Sequence, residues 1–432
     1  MDSPPHDPHY QHFRFNLTVS SMDSSFFGFA LGLASFITVV PLFVDKFTDS
    51  AILIGLIAAT HQVGWQLPQI LTAHRVSRSW RYKPMVLFLT VNERLPFLFV
   101  ALVAWQSKAL GADLTLLLTF VLLAWRGLGG GLSATAWQSM TGKVIPPARH
   151  GLFFGTLSST ANLMASVGAI IAGLVLEYID SPNSFALCFL SAFFAMSISY
   201  GFLSRVREYD SEPNAANVSQ RDFWKGVRQI LRSDQNFRLY LIARTFSQIG
   251  FMAVSFFVVF ASRKHGMSET TAGLMTALLT LVQIGASPLM GWLGDRWSHR
   301  ELFSMGGIMM ALSAFMSILA PSTPWFVLVF GLAGLANVTL WTVAIALTLQ
   351  FGTHGTRPTY IGLTNTLTAP STLLAPLVGG WLADAVNFEA TFLFAALGGV
   401  GMAVVAHFWM RDPVKLEPSG YATLSPVEAA VD

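Results

Sequence analysis

Charge is scarce in this chain. Only 11% of its 432 residues are Asp, Glu, Lys or Arg, against roughly 25% in an ordinary soluble domain. Hydrophobic residues make up 53% and aromatic residues 13%. A soluble protein of that composition could not cover its surface with polar groups, so the surface is expected to face lipid. Cysteine is scarcer still. Cys188 stands alone, so no disulfide can form within the chain, and the redox compartment cannot be read from it. No Walker loop, zinc-ligand spacing or catalytic triad on a soluble domain is present, which leaves ATP-driven transport and hydrolysis without support. His6, His9 and His12 recur every third residue, but in a Pro-rich tail, and neither a metal nor a cofactor is expected. The opening MDSPPHDPHYQHFRF lacks the basic end and apolar core of a secretory signal, so the N-terminus is expected to be retained. The formal net charge of +3 is small, and no nucleic-acid partner is expected.

What is present instead is a series of apolar runs. A membrane helix needs roughly 20 mostly apolar residues. Twelve segments qualify, near 18–42, 51–72, 85–105, 114–137, 152–176, 184–204, 238–261, 270–293, 302–320, 324–349, 358–383 and 389–410. One connection, 205–237, is much longer than the rest and divides the segments six and six. With the termini and the even-numbered loops assigned to one side, that side carries 19 of the 26 Lys and Arg. The other side carries 4, and Arg94, Arg126 and Arg244 lie inside spans. Basic residues concentrate on the cytoplasmic side, so both termini and the long loop are expected there, in a bacterial-style inner membrane. The expected fold is all-α, with twelve transmembrane helices in two six-helix bundles. The bundles cover 1–204 and 238–411, the cytoplasmic linker 205–237 and a cytoplasmic tail 412–432, and the protein is expected to act as a monomer.

Within the linker, SQRDFWKGVRQILRSDQNFR places Phe223, Trp224, Val227, Ile230 and Leu231 on one helical face. Ser219 and Asp222 have capping-box spacing, and Lys225, Arg228 and Arg232 flank the apolar stripe. This reads as a short amphipathic helix on the cytoplasmic membrane surface, a strut between bundles rather than a regulatory site. The halves also repeat. Adding 207 to Gly155, Gly168, Gly173 and Glu177 gives Gly362, Ala375, Gly380 and Asp384. The same shift takes Gly127-Leu128 to Gly334-Leu335. Helical halves related by a repeat are a common transporter design, with the binding site near midplane.

The stretch GWLGDRWSHRELF at 291–303 resembles the loop signature of the major facilitator superfamily, Gly-x-Leu-x-Asp-Arg followed by basic residues. It falls between segments eight and nine, one of two places where that family carries it. At the other, between segments two and three, stands LTAHRVSRSWRYK, with His74 at the Asp position and Arg75, Arg78, Arg81 and Lys83 behind it. WRGLGGG at 125–131 resembles the family's Arg-plus-glycine signature in segment four. Segment five carries Gly155, Gly168, Ala169, Ala172 and Gly173 where the antiporter signature has Gly, Gly-Pro and Gly-Gly. Segment eleven has the closer APLVGG at 375–380. In topology the resemblance covers nearly the whole chain, while its motifs say little about substrate. It implies that Asp295 lies beside the N-terminus of segment eleven, near Pro358. Unpaired N–H groups and the helix dipole stabilise an anion there by roughly 0.3–1 kcal/mol. Breaking that contact would bias one conformation over another, which makes Asp295, Arg296 and Arg300 gating candidates. Arg75 and Arg78 are the candidates on the other loop, where His74 cannot serve as the anion and the Arg cluster is also expected to hold anionic lipid. The glycine runs are packing faces first, and Pro68, Pro96, Pro370 and Pro376 are expected to loosen their helices.

Several segments carry polar stripes. They are His61, Gln62, Gln66 and Gln69 in segment two, and Ser159, Asn162 and Ser166 in segment five. Segment eight has Thr276, Thr280, Gln283 and Ser287, segment ten Asn337 and Trp341, and segment eleven Asn365, Thr368 and Thr372. Such groups must face protein or water. On helices that the family fold sets around a central cavity they read as its lining. Together with Arg244 and Gln248 of segment seven they suit a polar or amphipathic organic solute better than a bare ion. The charges inside spans, Asp23, Glu93, Arg94, Arg126 and Arg244, should each be paired or wet. At ~1.5 Å per residue, Glu93 lies about 12 Å into its span and Arg126 about 18 Å from the outer side. Glu93 or Asp23 is the expected counter-ion of Arg126, and an acid paired with Arg in a low dielectric is a candidate proton carrier. A static Glu93–Arg126 clamp is an equal alternative, because the family fold gives segment three a supporting place outside the cavity.

These readings point to a secondary transporter, not an enzyme. It would move a small organic solute by alternating access, with protons as the expected coupling partner and the bilayer as its surroundings. The partial antiporter signature leans towards efflux. Nutrient uptake by symport or facilitation, and a non-transporting membrane sensor, are the alternatives. Polar stripes in both halves argue against the sensor.

Overall fold

The computed structural model describes residues 11–36, 38–48, 51–210, 220–352 and 356–415, without a few side chains among them, that of Gln62 included. His6, His9, Ser219 and the tail beyond 415 fall outside the described residues. All regular structure among the described residues is helical, and nine helical stretches there are long and apolar enough to cross a membrane. The chain divides into two compact units.

The first unit comprises Met1–Pro146, Thr160–Pro213 and Ile361–Thr366. Its helices are α1 (Phe13–Leu33), α2 (Val39–Asp45), α3 (Ala51–Gln66), α4 (Gln69–Ser77), α5 (Lys83–Leu110) and α6 (Ala112–Val144). To these are added α7 (His150–Tyr178) from Thr160 onward and α8 (Asn183–Leu203). Pro68 separates α3 from α4, whereas α5 runs unbroken through Pro96. Neighbouring helices approach closely because small residues face one another. A Cβ on Gly28 would meet the Ala161 backbone of α7, and one on Gly131 the Gly64 carbonyl of α3. The apolar core gathers Phe43, Phe97, Phe185, Phe189, Met196 and Cys188.

The second unit comprises Pro147–Ser159, Asn214–Tyr360 and Leu367–Asp432. Its helices are α9 (Gln220–Ser233), α10 (Gln235–Phe251), α11 (Val254–His265), α12 (Glu269–Arg296) and α13 (His299–Leu319). They continue with α14 (Phe326–Val338), α15 (Ala344–Thr348), α16 (Arg357–Ala385) and α17 (Phe388–Val404). Single π-helical turns, Thr339–Val343 and Val405–Trp409, follow α14 and α17. α11 stops where Gly266 takes a left-handed conformation at φ 65°. The core is aromatic, with Phe257, Phe260, Phe326, Phe330 and Phe392. Gly307 and Gly399 let α13 and α17 touch backbone to backbone. α16 passes through Pro370 and Pro376 without a break.

Two findings alter the sequence picture. Three of the five residues in the apolar stripe of the linker helix α9 pack on protein. Phe223, Val227 and Ile230 are buried, while Trp224 is 44% exposed. α9 runs into α10 through one residue, Asp234, whose carboxylate caps α10 at Phe237 N and accepts from the Tyr360 hydroxyl. The two units also differ from the 1–204 and 238–411 division at two short stretches. Residues 147–159 pack within the second unit, and residues 361–366 within the first. Gly155 lies against the backbone of Ser287 and Pro288, and Gly362 sits 3.0 Å, at the Cβ position, from the Cα of Ile70. These are the two glycines related by the 207-residue repeat.

Candidate functional site

Four charged side chains meet inside the first unit, each less than a tenth exposed: Asp23 of α1, Glu93 and Arg94 of α5, and Arg126 of α6. Glu93 Oε1 lies 3.7 Å from Arg126 Nη2. Asp23 does not serve Arg126. It lies 3.9 Å from Arg94 Nη2 and accepts a 2.6 Å hydrogen bond from Ser199. The division follows from helix geometry. Successive residues point about 100° apart, so Glu93 faces α6 while Arg94 turns to α1 and α8. Arg94 is almost fully satisfied, donating to the Met196 carbonyl, to Thr90 and to Ser199. It also comes within 4.0 Å of Glu93. Two acids and two guanidinium groups thus form one buried set without net charge.

Arg126 is held on more sides than its acid. Its Nη1 donates to Nδ1 of His61 at 2.6 Å. A guanidinium has no acceptor, so that imidazole nitrogen is unprotonated and the ring carries its proton on Nε2. The guanidinium carbon lies 4.7 Å from the centroid of Phe36 and 5.3 Å from that of Phe97, which is cation–π range. Phe36 in turn stacks on His61 at 4.7 Å. His61, expected as cavity lining, is therefore part of the charged set. Asn92 fixes Trp125, accepting its indole N–H at 3.2 Å, and Gly129 packs against the Asn92 backbone.

In the second unit, Asp295 is placed differently from the sequence expectation. Its carboxylate does not lie at the start of α16. It accepts from the backbone N–H groups of Gly151 and Leu152 at 2.8 and 2.7 Å, at the N-terminus of α7. Gly291 and Gly151 make this possible, since a side chain on either would strike the other's backbone. His299 Nε2 lies 3.4 Å from the same carboxylate. The counterpart in the first unit is neutral. Asn365 of α16 donates to Gln69 of α4 at 2.8 Å, and Ile70 N–H donates to Thr366. Arg296 rests on Trp292 at 4.4 Å, and Arg300 donates to the Met410 carbonyl and pairs with Glu301. Arg75 and Arg78 are exposed at the end of α4.

Of the residues expected to line a cavity, Gln66 and Asn365 are buried. Asn162, Gln248, Gln283 and Asn337 are half-buried, and Trp341 is 38% exposed. Arg244 is buried and bonds the Leu340 carbonyl. A further buried pair was not read from the sequence. Glu208, just past α8, accepts from Tyr82 N–H and Lys83 N–H at the start of α5 and pairs with Lys143 at 3.0 Å. An acid soon after a span end was the available signal. Beside it on the surface, hydrogen bonds from Arg81 hold the Asp210 carboxyl below its ordinary value.

Membrane-length helices around buried, internally paired charges define a multi-pass integral membrane protein. The model of the Major Facilitator Superfamily matches residues 22–261 and again 240–426. The chain belongs to that family. Among curated relatives it is 24% identical over 147 residues to "Multidrug resistance protein 1" of Bacillus subtilis, covering 34% of this chain and 38% of that protein. It is 23% identical over 161 residues to "Quinolone resistance protein NorA" of Staphylococcus aureus, covering 37% and 41%. The matched part thus spans about two fifths of the length of these relatives. Among solved structures, the E. coli fucose:proton symporter FucP shares the fold at a TM-score of 0.73 and 14% identity, over 92% of this chain and 99% of that one.

Proposed function

We propose that this protein is a twelve-helix secondary transporter that moves a small organic solute across the inner membrane by alternating access, with proton coupling and in the direction of export. The observation that carries the coupling is the position of Glu93, 3.7 Å from Arg126 and 4.0 Å from Arg94. Glu93 joins α5 to α6 through Arg126, so a proton placed on its carboxylate would remove that attraction, and proton uptake and helix movement would be linked. Asp23, held by Arg94 and Ser199, is the second acid in the same set. Export is supported by the partial antiporter glycine pattern and by curated relatives named for drug and quinolone resistance.

The Asp295 carboxylate on the N-terminus of α7 supports a gating role for that contact, because it joins the loop signature to a helix whose later part belongs to the other unit. The test of coupling uses proteoliposomes with an imposed pH gradient. Glu93→Gln and Asp23→Asn should each reduce gradient-driven flux while leaving solute binding in place. If the double variant drives flux as the natural chain does, the coupling role is lost.

A further inference from the structure

Arg244 is a buried cation with no acid beside it among the described residues. It lies in α10, about 13 Å from the helix start at ~1.5 Å per residue, and is 8% exposed. Its Nη1 donates to the Leu340 carbonyl at 3.0 Å. That carbonyl belongs to the π-helical turn Thr339–Val343, and such turns recur at functional sites. Nε of Arg244 is buried without a partner. Nη2 makes no hydrogen bond among the described residues, and no carboxylate there comes within ion-pair distance of this guanidinium. Four acids of the second unit are engaged elsewhere: Asp234 with Tyr360 and Phe237 N, Asp295 with α7, Glu301 with Arg300 and His407, and Glu389 with Lys264.

The free groups, Nε and Nη2, form the edge of a guanidinium that binds a carboxylate by two parallel hydrogen bonds. The third nitrogen is fixed by a backbone carbonyl, so the fork is oriented before any ligand arrives. A buried charge left unpaired is costly, and a ligand that supplies the missing anion recovers that cost on binding. We propose that Arg244 anchors the carboxylate of an organic anion, and that the transported solute belongs to this class. The proposal deepens the transporter reading and rests on it. Gln248, one turn further along α10 and half-buried, is placed to contact the body of such a ligand.

The test needs no mutant at its first step. Purified full-length protein is melted with matched pairs, benzoate against benzamide and octanoate against octanamide. The acid of at least one pair should raise the melting temperature and its amide should not. Arg244→Gln should weaken the binding of that acid by roughly tenfold or more, and Arg244→Lys, which keeps the charge but loses the fork, should fall between. Equal shifts for acid and amide, no shift from any acid, or full binding by Arg244→Gln would overturn the proposal. So would stabilisation by phosphatidylglycerol vesicles alone, which would assign the cation to a lipid phosphate. Pure structural failure of Arg244→Gln is recognised by Arg244→Lys melting normally while still binding the acid more weakly. Gradient-driven export of a neutral or cationic solute would sink the carboxylate anchor and leave the transporter reading intact. Carboxylate binding without any flux would do the reverse.

Discussion

The two units treat buried charge in opposite ways. In the first, Asp23, Glu93, Arg94 and Arg126 neutralise one another, hydroxyls and a carbonyl take up Arg94, and an imidazole takes Nη1 of Arg126, whose Nε and Nη2 make no hydrogen bond. In the second, Arg244 has a single carbonyl and no acid among the described residues. One set holds its own anions and the other is short of one. A set that holds its own anions stabilises its fold and resists change, whereas one short of an anion is a place where a ligand alters the balance. The helix-end contacts differ in the same sense. The second unit ties α12 to α7 with a carboxylate, Asp295, and the first ties α4 to α16 with amides, Gln69 and Asn365.

The sharpest way to break this contrast is to remove one member from each charge set. Glu93→Leu strips Arg126 of its acid, and the loss of a buried partner costs about 3–5 kcal/mol. Arg244→Leu orphans no acid, so its melting temperature in detergent should fall far less. Equal losses would mean that the sets are not different in kind. The next effect concerns helix approach. Gly291→Val would drive a side chain into the Gly151 backbone, with an expected cost of about 1–3 kcal/mol from overpacking. Gly362→Ala, whose Cβ would meet Ile70 Cα at 3.0 Å, should cost less in the same melting assay. Asp295→Asn removes the charge from the helix end, an expected loss of about 0.3–1 kcal/mol, rising to about 2 if burial strengthens the contact. It should also shift the ratio of inward- to outward-open states in a two-label distance measurement. A ratio equal to that of the natural chain would reduce Asp295 to a cap.

The smallest effect is expected at Asp210. Its carboxyl is held low by Arg81, so the pair's contribution is present above the ordinary Asp value and lost as pH falls through the lowered one. Both side chains are exposed, at 54% and 60%, and salt screens such pairs. Asp210→Asn should therefore melt with the natural chain at neutral pH. The buried pair a few residues away gives the comparison, since Glu208→Gln leaves Lys143 without its acid and should melt clearly lower.

The helices were legible because lipid demands long apolar runs. Among the described residues, the expected segments that are not long and apolar enough to cross a membrane are the first two, which end near Leu33 and break at Pro68, and the polar, proline-bearing α16. Depth along a helix put Glu93 and Arg126 at one level, and the structure has them 3.7 Å apart. Depth alone could not choose between Glu93 and Asp23, because that depends on which way each helix is turned. The partner of Asp295 was hidden for a similar reason. Any helix start offers free N–H groups, and the choice of α7 depends on Gly151 meeting Gly291, residues 140 apart in the chain. The stripe on α9 showed that an apolar face must be covered, but not whether by lipid or by protein. Glu208 and Lys143 are 65 residues apart, and no local pattern joins them.

The lone Cys188 has a practical consequence. It is 1% exposed, packed in α8 within the aromatic core of the first unit. Water-soluble thiol reagents should therefore pass over the natural chain, which offers a silent background for labelling. A cysteine introduced at Trp224 or Arg75 would then report its own accessibility from either side of an intact cell, and so which face of the membrane it occupies.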